Sequence, residues 1–210
     1  MRDALRLGLG QLELALSEHQ QNQLLDYLVL LQKWNKAYNL TAIRESAGML
    51  THHLFDSLVV VKPLVDALKN KPNSSILDVG AGAGLPGVVV AICCPDIRVT
   101  CVDAVGKKVA FMQQVALSLG LKNLTAKHAR VESLTEKYDL ITSRAFATLT
   151  DFVSCTQQSL ANGGVWMAMK SKSASTEAAD LPSGIDVFHV EPLIVPELNE
   201  ERNLVWMRLH

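Results

Sequence analysis

Apolar positions in the first seventy residues recur at helical spacing. Ser17 stands three places before Gln20, a pairing that can open a helix by reciprocal side-chain and backbone hydrogen bonds, and a helix is predicted over residues 17–35. Leu24, Leu28 and Leu31 form one apolar stripe on it, widened by Leu25. A break is expected over 35–39. A second helix is predicted over 51–68, with Leu54, Leu58 and Val61 on one side and Pro63 as a kink or split. Residues 69–75 are polar and turn-rich, which sets the boundary between a helical extension, 1–70, and a second unit, 71–210.

From residue 75 the pattern changes to short apolar runs alternating with helical segments. Strands are predicted over 75–79, 98–102, 124–127, 139–143 and 165–169, with helices from Pro86, over 107–119 and over 150–159. This alternation implies βαβ units and an α/β fold with a mostly parallel sheet. Two further apolar runs, 185–190 and 203–209, are separated by a loop holding Pro192 and Pro196. They predict a closing hairpin with one strand antiparallel to the others.

The composition, 49% apolar and 20% charged over 210 residues, is that of a globular chain. Twenty basic against 21 acidic residues leave no overall attraction for a polyanion. A nucleic-acid partner would have to be met by a local patch, or within a complex that supplies other contacts. The longest unbroken apolar run, 88–94, is far short of the roughly 20 residues a membrane span needs. Residues 1–6 carry an early acid and no signal-peptide core. Cys93, Cys94, Cys101 and Cys155 have neither C-x-x-C nor zinc spacing, so no metal site is expected. They read as small buried residues of a protein in the reducing cytoplasm.

The most informative stretch is Asp78-Val-Gly80-Ala-Gly82-Ala-Gly84-Leu85-Pro86-Gly87, between a predicted strand and a predicted helix. Glycines allow a tight turn and close approach of a ligand to the backbone. Pro86 suits the first helical turn, and the helix N-terminus beyond it is expected to offer N–H groups to an anion. Gly82, Gly84 and Gly87 match the dinucleotide fingerprint, with Asp103 about 20 residues on to accept ribose hydroxyls. Asp103 suits either a dinucleotide or S-adenosylmethionine (SAM). Asp78 discriminates: an acid at the strand tip repels a pyrophosphate and attracts a ligand bearing an ammonium and a sulfonium, so SAM is favoured. Two other readings stay open on these residues, a small-molecule SAM methyltransferase and a nucleotide-binding module without chemistry.

Further segments make the pattern specific. Lys33-Trp-Asn-Lys-Ala-Tyr-Asn-Leu-Thr41, His53-Leu-Phe-Asp-Ser57, the glycine-rich segment and Ser143-Arg-Ala-Phe146 occur in this order. Together they resemble the RsmG (GidB) family of small-subunit ribosomal RNA methyltransferases over nearly the whole chain. The resemblance implies a class I SAM-dependent methyltransferase core behind an N-terminal helical extension. It implies methylation of guanine N7 in 16S rRNA, at nucleotide 527 in ribosomal RNA numbering, with S-adenosylhomocysteine as product. The partner implied is 16S rRNA or a small-subunit assembly particle, with no DNA and no membrane. By matching motif, Gly80 and Leu85 would contact the methionine half of SAM, Asp103 the ribose, Val131 and Glu132 the adenine, and Arg144 would lie by the transferable methyl.

Guanine N7 carries an in-plane lone pair and no proton, so its methylation needs alignment rather than a general base. Arg144 is expected to donate to guanine O6 or a phosphate, or to serve SAM through its backbone, since a grip on O6 and N7 together would occupy the nucleophile. Otherwise it pairs with an acid on the rim. Lys107 and Lys108, Lys170, Lys172 and Arg44 are candidates for a local basic rim toward RNA. Asn35 and Asn39 either bond the helix break or line the methyl site. His53 and Asp56 share a helix face that points to the RNA or orders a helix start. Trp34 is expected to pack the extension on the core.

Overall fold

The computed structural model describes residues 1–144, 148–171, 177 and 179–210. Lys172 and the Ala145-Phe146 pair, both singled out above, lie outside the described residues.

The extension begins with α1 (Arg2–Gln11) and α2 (Glu18–Tyr38). Ser17 caps α2 through the expected capping box: its hydroxyl accepts from Gln20 N and the Gln20 side chain accepts from Ser17 N. The helix does not break at Asn35. It runs to Tyr38 and stops at Asn39, which takes the left-handed conformation a short polar side chain tolerates. The second predicted helix is several pieces: α3 (Ser46–Met49), a π-helical stretch (Leu50–Phe55), α4 (Asp56–Leu58) and α5 (Val61–Leu68). The interruption falls at Val59 and Val60, and Pro63 sits in the first turn of α5, where its missing N–H costs nothing.

The remainder builds a sheet from β1 (Ser75–Val79), β2 (Arg98–Asp103), β3 (Leu124–His128), β4 (Tyr138–Arg144), β5 (Leu160–Lys170), β6 (Ile185–Leu193) and β7 (Arg202–Leu209). Between them lie α6 (Gly87–Cys93), α7 (Gly106–Leu119) and α8 (Leu149–Thr156). The strand order is β3-β2-β1-β4-β5-β7-β6. The first five strands are parallel, and β7 enters antiparallel between β5 and β6. The predicted α/β class and closing hairpin are therefore present, with β7 the reversed strand.

Alternation along β1 sends Ile76 into one apolar cluster and Leu77 and Val79 into another on the opposite face. The first cluster runs without interruption from Leu5, Leu24 and Leu54 of the extension to Val88 of α6 and Phe111 of α7. Trp34 packs on Phe111, ring centroids 5.6 Å apart, as expected for a residue joining extension to core. Helix α2 also satisfies the ends of core helices. Gln20 Nε2 donates to the Ile92 and Cys93 carbonyls at the end of α6, and Gln23 Nε2 to the Leu119 carbonyl at the end of α7. Of the four cysteines only Cys101 is buried; Cys93, Cys94 and Cys155 are half-buried.

Candidate functional site

The carboxyl ends of β1, β2 and β4 meet the glycine loop. Gly80, Gly82 and Gly84 have φ of 64°, 61° and 87°, the left-handed region that glycine adopts without strain. The loop closes on itself. Gly80 N and Ala81 N donate to Val102 O, Gly84 N and Leu85 N to Ala81 O, and Gly82 N to Asp103 Oδ2 at 2.9 Å. Helix α2 braces the same loop: the buried Tyr27 hydroxyl donates to Ala83 O at 2.9 Å.

Asp78 shares the parity of Ile76 on β1 and so faces α6. It is fully buried beneath the loop rather than standing at its lip. Its Oδ2 accepts from Gly87 N at 2.8 Å. This corrects the expectation of open N–H groups at the start of α6, because the Asp78 carboxylate takes the Gly87 donor and Val88 N bonds back to Gly84 O. A diphosphate thus finds an acid where a dinucleotide site presents free amides. Asp78 Oδ1 has no hydrogen-bond partner. Burial pushes the Asp78 carboxyl up to about 7, with Gly87 N–H and Arg144 opposing that shift. A buried, unsatisfied acid beside the loop suits a cationic ligand.

A cavity of about 220 Å³ opens beside the loop, lined by Gly80, Asp103, Ala129, Val131 and Glu132 among others. Asp103 ends β2 and is held by two amides, Gly82 N on Oδ2 and Val105 N on Oδ1. Each oxygen keeps a lone pair for a hydroxyl. Buried Val131 and exposed Glu132, on a short 3₁₀ turn, complete one wall. The structure thus brings Gly80, Asp103, Val131 and Glu132 together. Gly82, Gly84 and buried Leu85 shape the turn from outside that cavity. These residues fit SAM: a concave wall with a ribose acceptor on one side and an acid with one unpartnered oxygen under the loop.

Arg144, the last residue of β4, points to the extension. Its Nη1 donates to His52 O at 2.9 Å and Asp56 Oδ2 at 3.1 Å. Asp56 Oδ1 accepts from Arg202 Nε at 2.9 Å, and Arg202 Nη2 pairs with Glu200. His53, beside them, is buried and bonds Thr41 Oγ1 through Nε2 at 2.9 Å. Burial, then Arg144, pushes His53 down to about 4.

Several RNA candidates are corrected by their surroundings. Asn35 is buried and ties Thr41 N and Ile43 O, which orders the chain after α2. His53 is likewise interior. Lys170 is 9% exposed and pairs with Glu177 at 2.8 Å. In contrast, Asn39, Arg44 and Lys107 come together on the surface: Arg44 Nη2 donates to Asn39 Oδ1, and Lys107 Nζ to the neighbouring Tyr38 O. Lys108 lies 3.6 Å from Asp103. The sequence reading missed Tyr27 and Arg202. Neither carries a local signal, since an apolar-stripe tyrosine and a strand-start arginine are common; only their partners distinguish them. Among the described residues no helix is long and apolar enough to cross a membrane, and no cluster of His, Cys, Asp or Glu could hold a metal ion.

The architecture recurs in solved methyltransferases. TrmN from Thermus thermophilus superposes with a TM-score of 0.60 at 16% identity, over 73% of this chain and 49% of that one. The N-methyltransferase NodS from Bradyrhizobium japonicum, in complex with S-adenosyl-L-homocysteine, gives a TM-score of 0.58 at 14% identity, over 87% of this chain and 97% of that one. The fold is that of class I SAM-dependent methyltransferases. A ribosomal RNA small subunit methyltransferase G from Albidiferax ferrireducens is 55% identical over 99% of this chain and 97% of its own. That of Leptothrix cholodnii is 52% identical over 99% and 95%. The family model described as GidB, rRNA small subunit methyltransferase G, matches residues 20–205. With its site geometry and nearly full-length likeness, the chain belongs to the rRNA small subunit methyltransferase G (GidB) family.

Proposed function

We propose that this protein transfers the methyl group of SAM to N7 of a guanosine in 16S rRNA, at nucleotide 527 in ribosomal RNA numbering, in the cytoplasm. Family membership supports the RNA substrate and the donor. The choice of N7 is supported by one feature of the site: the titratable groups around Arg144 are buried. Asp78 lies beneath the loop with Gly87 N–H on one oxygen, burial and Arg144 keep His53 neutral, and Asp56 is held between two arginines. None is an accessible base. A nucleophile with a free lone pair and no proton to lose is matched to such a site.

SAM, when bound, supplies an electrophilic methyl on a sulfonium. Asp103, Val131 and Glu132 would hold its adenosine, Gly80 and Leu85 its methionine half, and Asp78 would balance its positive charge from beneath the loop. The chain's own contribution is alignment, which can supply on the order of 7–11 kcal/mol of such a barrier. Arg144 presents a cationic group at the end of β4, suited to guanine O6 or a phosphate while leaving N7 free. Asn39, Arg44 and Lys107 form the exposed rim that meets the RNA backbone, a local answer to the absence of net positive charge.

The test is incubation with labelled SAM and small subunits, or naked 16S rRNA, from a strain lacking the gene. Incorporation mapping to one N7-methylguanosine is expected. Label confined to metabolites, or at a different base atom, overturns the reading. Arg144→Ala should reduce turnover more than SAM affinity, and wild-type turnover in that variant would remove Arg144 from its role.

A further inference from the structure

Asp56 belongs to the extension, yet its carboxylate bridges two strands of the sheet. Oδ2 holds Arg144 at the end of β4, and Oδ1 holds Arg202 at the start of β7. These strands are not neighbours, because β5 lies between them. Asp56 is 4% exposed, so the bridge works in a desolvated setting where charge-assisted bonds are strong and directional.

The bridge engages only part of Arg144. Both bonds use Nη1, while Nε and Nη2 have no hydrogen-bond partner among the described residues. Two guanidinium groups are matched by the carboxylates of Asp56 and Glu200, and Glu200 reaches only Arg202. Arg202 differs: its Nε, Nη1 and Nη2 go to Asp56, Glu201 O and Glu200. Arg202 is therefore a buttress, and Arg144 is an arginine anchored at one nitrogen with its other donors available.

We propose that Asp56 is a positioning residue for methyl transfer: it fixes Arg144 from the extension, buttressed by Arg202, so that the remaining guanidinium donors meet the RNA substrate. This rests on the reading of Arg144 given above. It assigns the extension a part in the reaction beyond covering the core. The anchor sits on the π-helical stretch and α4, which place His52 O and Asp56 against the same Arg144 nitrogen.

The experiment compares wild type, Asp56→Asn, Asp56→Glu and Arg202→Lys, each with and without Arg144→Ala, on small subunits or 16S rRNA. Turnover, KM for RNA, SAM affinity by calorimetry and thermal stability are measured on every variant. Asp56→Asn is expected to lower kcat roughly 10- to 100-fold, the scale of a misplaced catalytic group, with SAM affinity changed less than about twofold. Asp56→Glu should recover part of that loss, and Arg202→Lys should show a smaller one. In the Arg144→Ala background the same substitutions should cost no further activity, because they act through that side chain. Full kcat in folded Asp56→Asn, or losses that persist undiminished without Arg144, overturn the proposal. Should Asp56→Asn not fold, the Arg202→Lys cycle decides it by the same two criteria. A wild-type protein that methylates no RNA instead removes the functional reading itself.

Discussion

Gly87 donates its backbone N–H to Asp78 Oδ2 at 2.8 Å, joining the start of α6 to the buried end of β1. The contact closes the helix terminus with the protein's own carboxylate. It also presses two elements so close that the glycine has no room for a side chain. A Cβ at Gly87 would fall on Cys101 Sγ and lie 2.8 Å from Asp78 Oδ2.

Gly87→Ala is therefore expected to destabilise the fold by about 1–3 kcal/mol through overpacking and to weaken SAM binding. Gly84→Ala should do the same, since a Cβ there would collide with Val88. Gly10→Ala is the control: this exposed position in α1 has nothing within 4 Å of a new Cβ, and the change should add about 0.5–1 kcal/mol of stability. Denaturant midpoints for the three variants check the order.

Tyr27→Phe removes the donor to Ala83 O and leaves a buried carbonyl of the loop unsatisfied. A loss of about 1–3 kcal/mol in stability is expected, together with weaker SAM binding as the loop loosens. Calorimetric titration of SAM at matched folded fraction separates the two effects. Unchanged affinity would show that α2 does not brace the loop.

Asp78 and His53 give opposed pH dependences. Asp78 is pushed up to about 7 from an ordinary value of 3.8, so its contribution to stability is lost as pH rises through about 7. His53 is pushed down to about 4 from 6.5, so its contribution is lost as pH falls toward 4. Between about pH 4 and 6.5 the two slopes oppose each other. His53→Gln should make stability fall with rising pH across that range, and Asp78→Asn should make it rise. Denaturation at a series of pH values tests this, and a wild-type slope as steep as either variant's would refute it.

SAM binding near pH 7 should release protons. Asp78 is partly protonated there in the free protein, and a sulfonium and ammonium nearby favour its charged form. Binding heats in buffers of different ionisation enthalpy should reveal up to one proton released, and none in Asp78→Asn. Equal heats in all buffers for the wild type would place the ligand's charge away from Asp78.

Hydrophobic period, caps and turn glycines are local, and these determined most of the architecture from the sequence alone. The Ser17 capping box, the start and end of β1 and the closing hairpin all follow from residues within a few positions of one another. The acid, glycine turn and second-strand acid likewise pointed to the end of the sheet where the cavity lined by Gly80 and Asp103 opens, because Asp78, Gly80 and Asp103 lie on consecutive βα units.

Only the tertiary structure decided what those residues touch. Asp78 lost its place at the lip because the parity of β1 turns it under α6. Asn35, His53 and Lys170 left the list of RNA contacts because partners distant in sequence or on other elements enclose them. Asp56 and Arg202 are 146 positions apart, and their pairing through one carboxylate with Arg144 has no signature in spacing or composition. Burial and charge pairing are properties of the packed chain, set by which surfaces the sheet and the extension bring together.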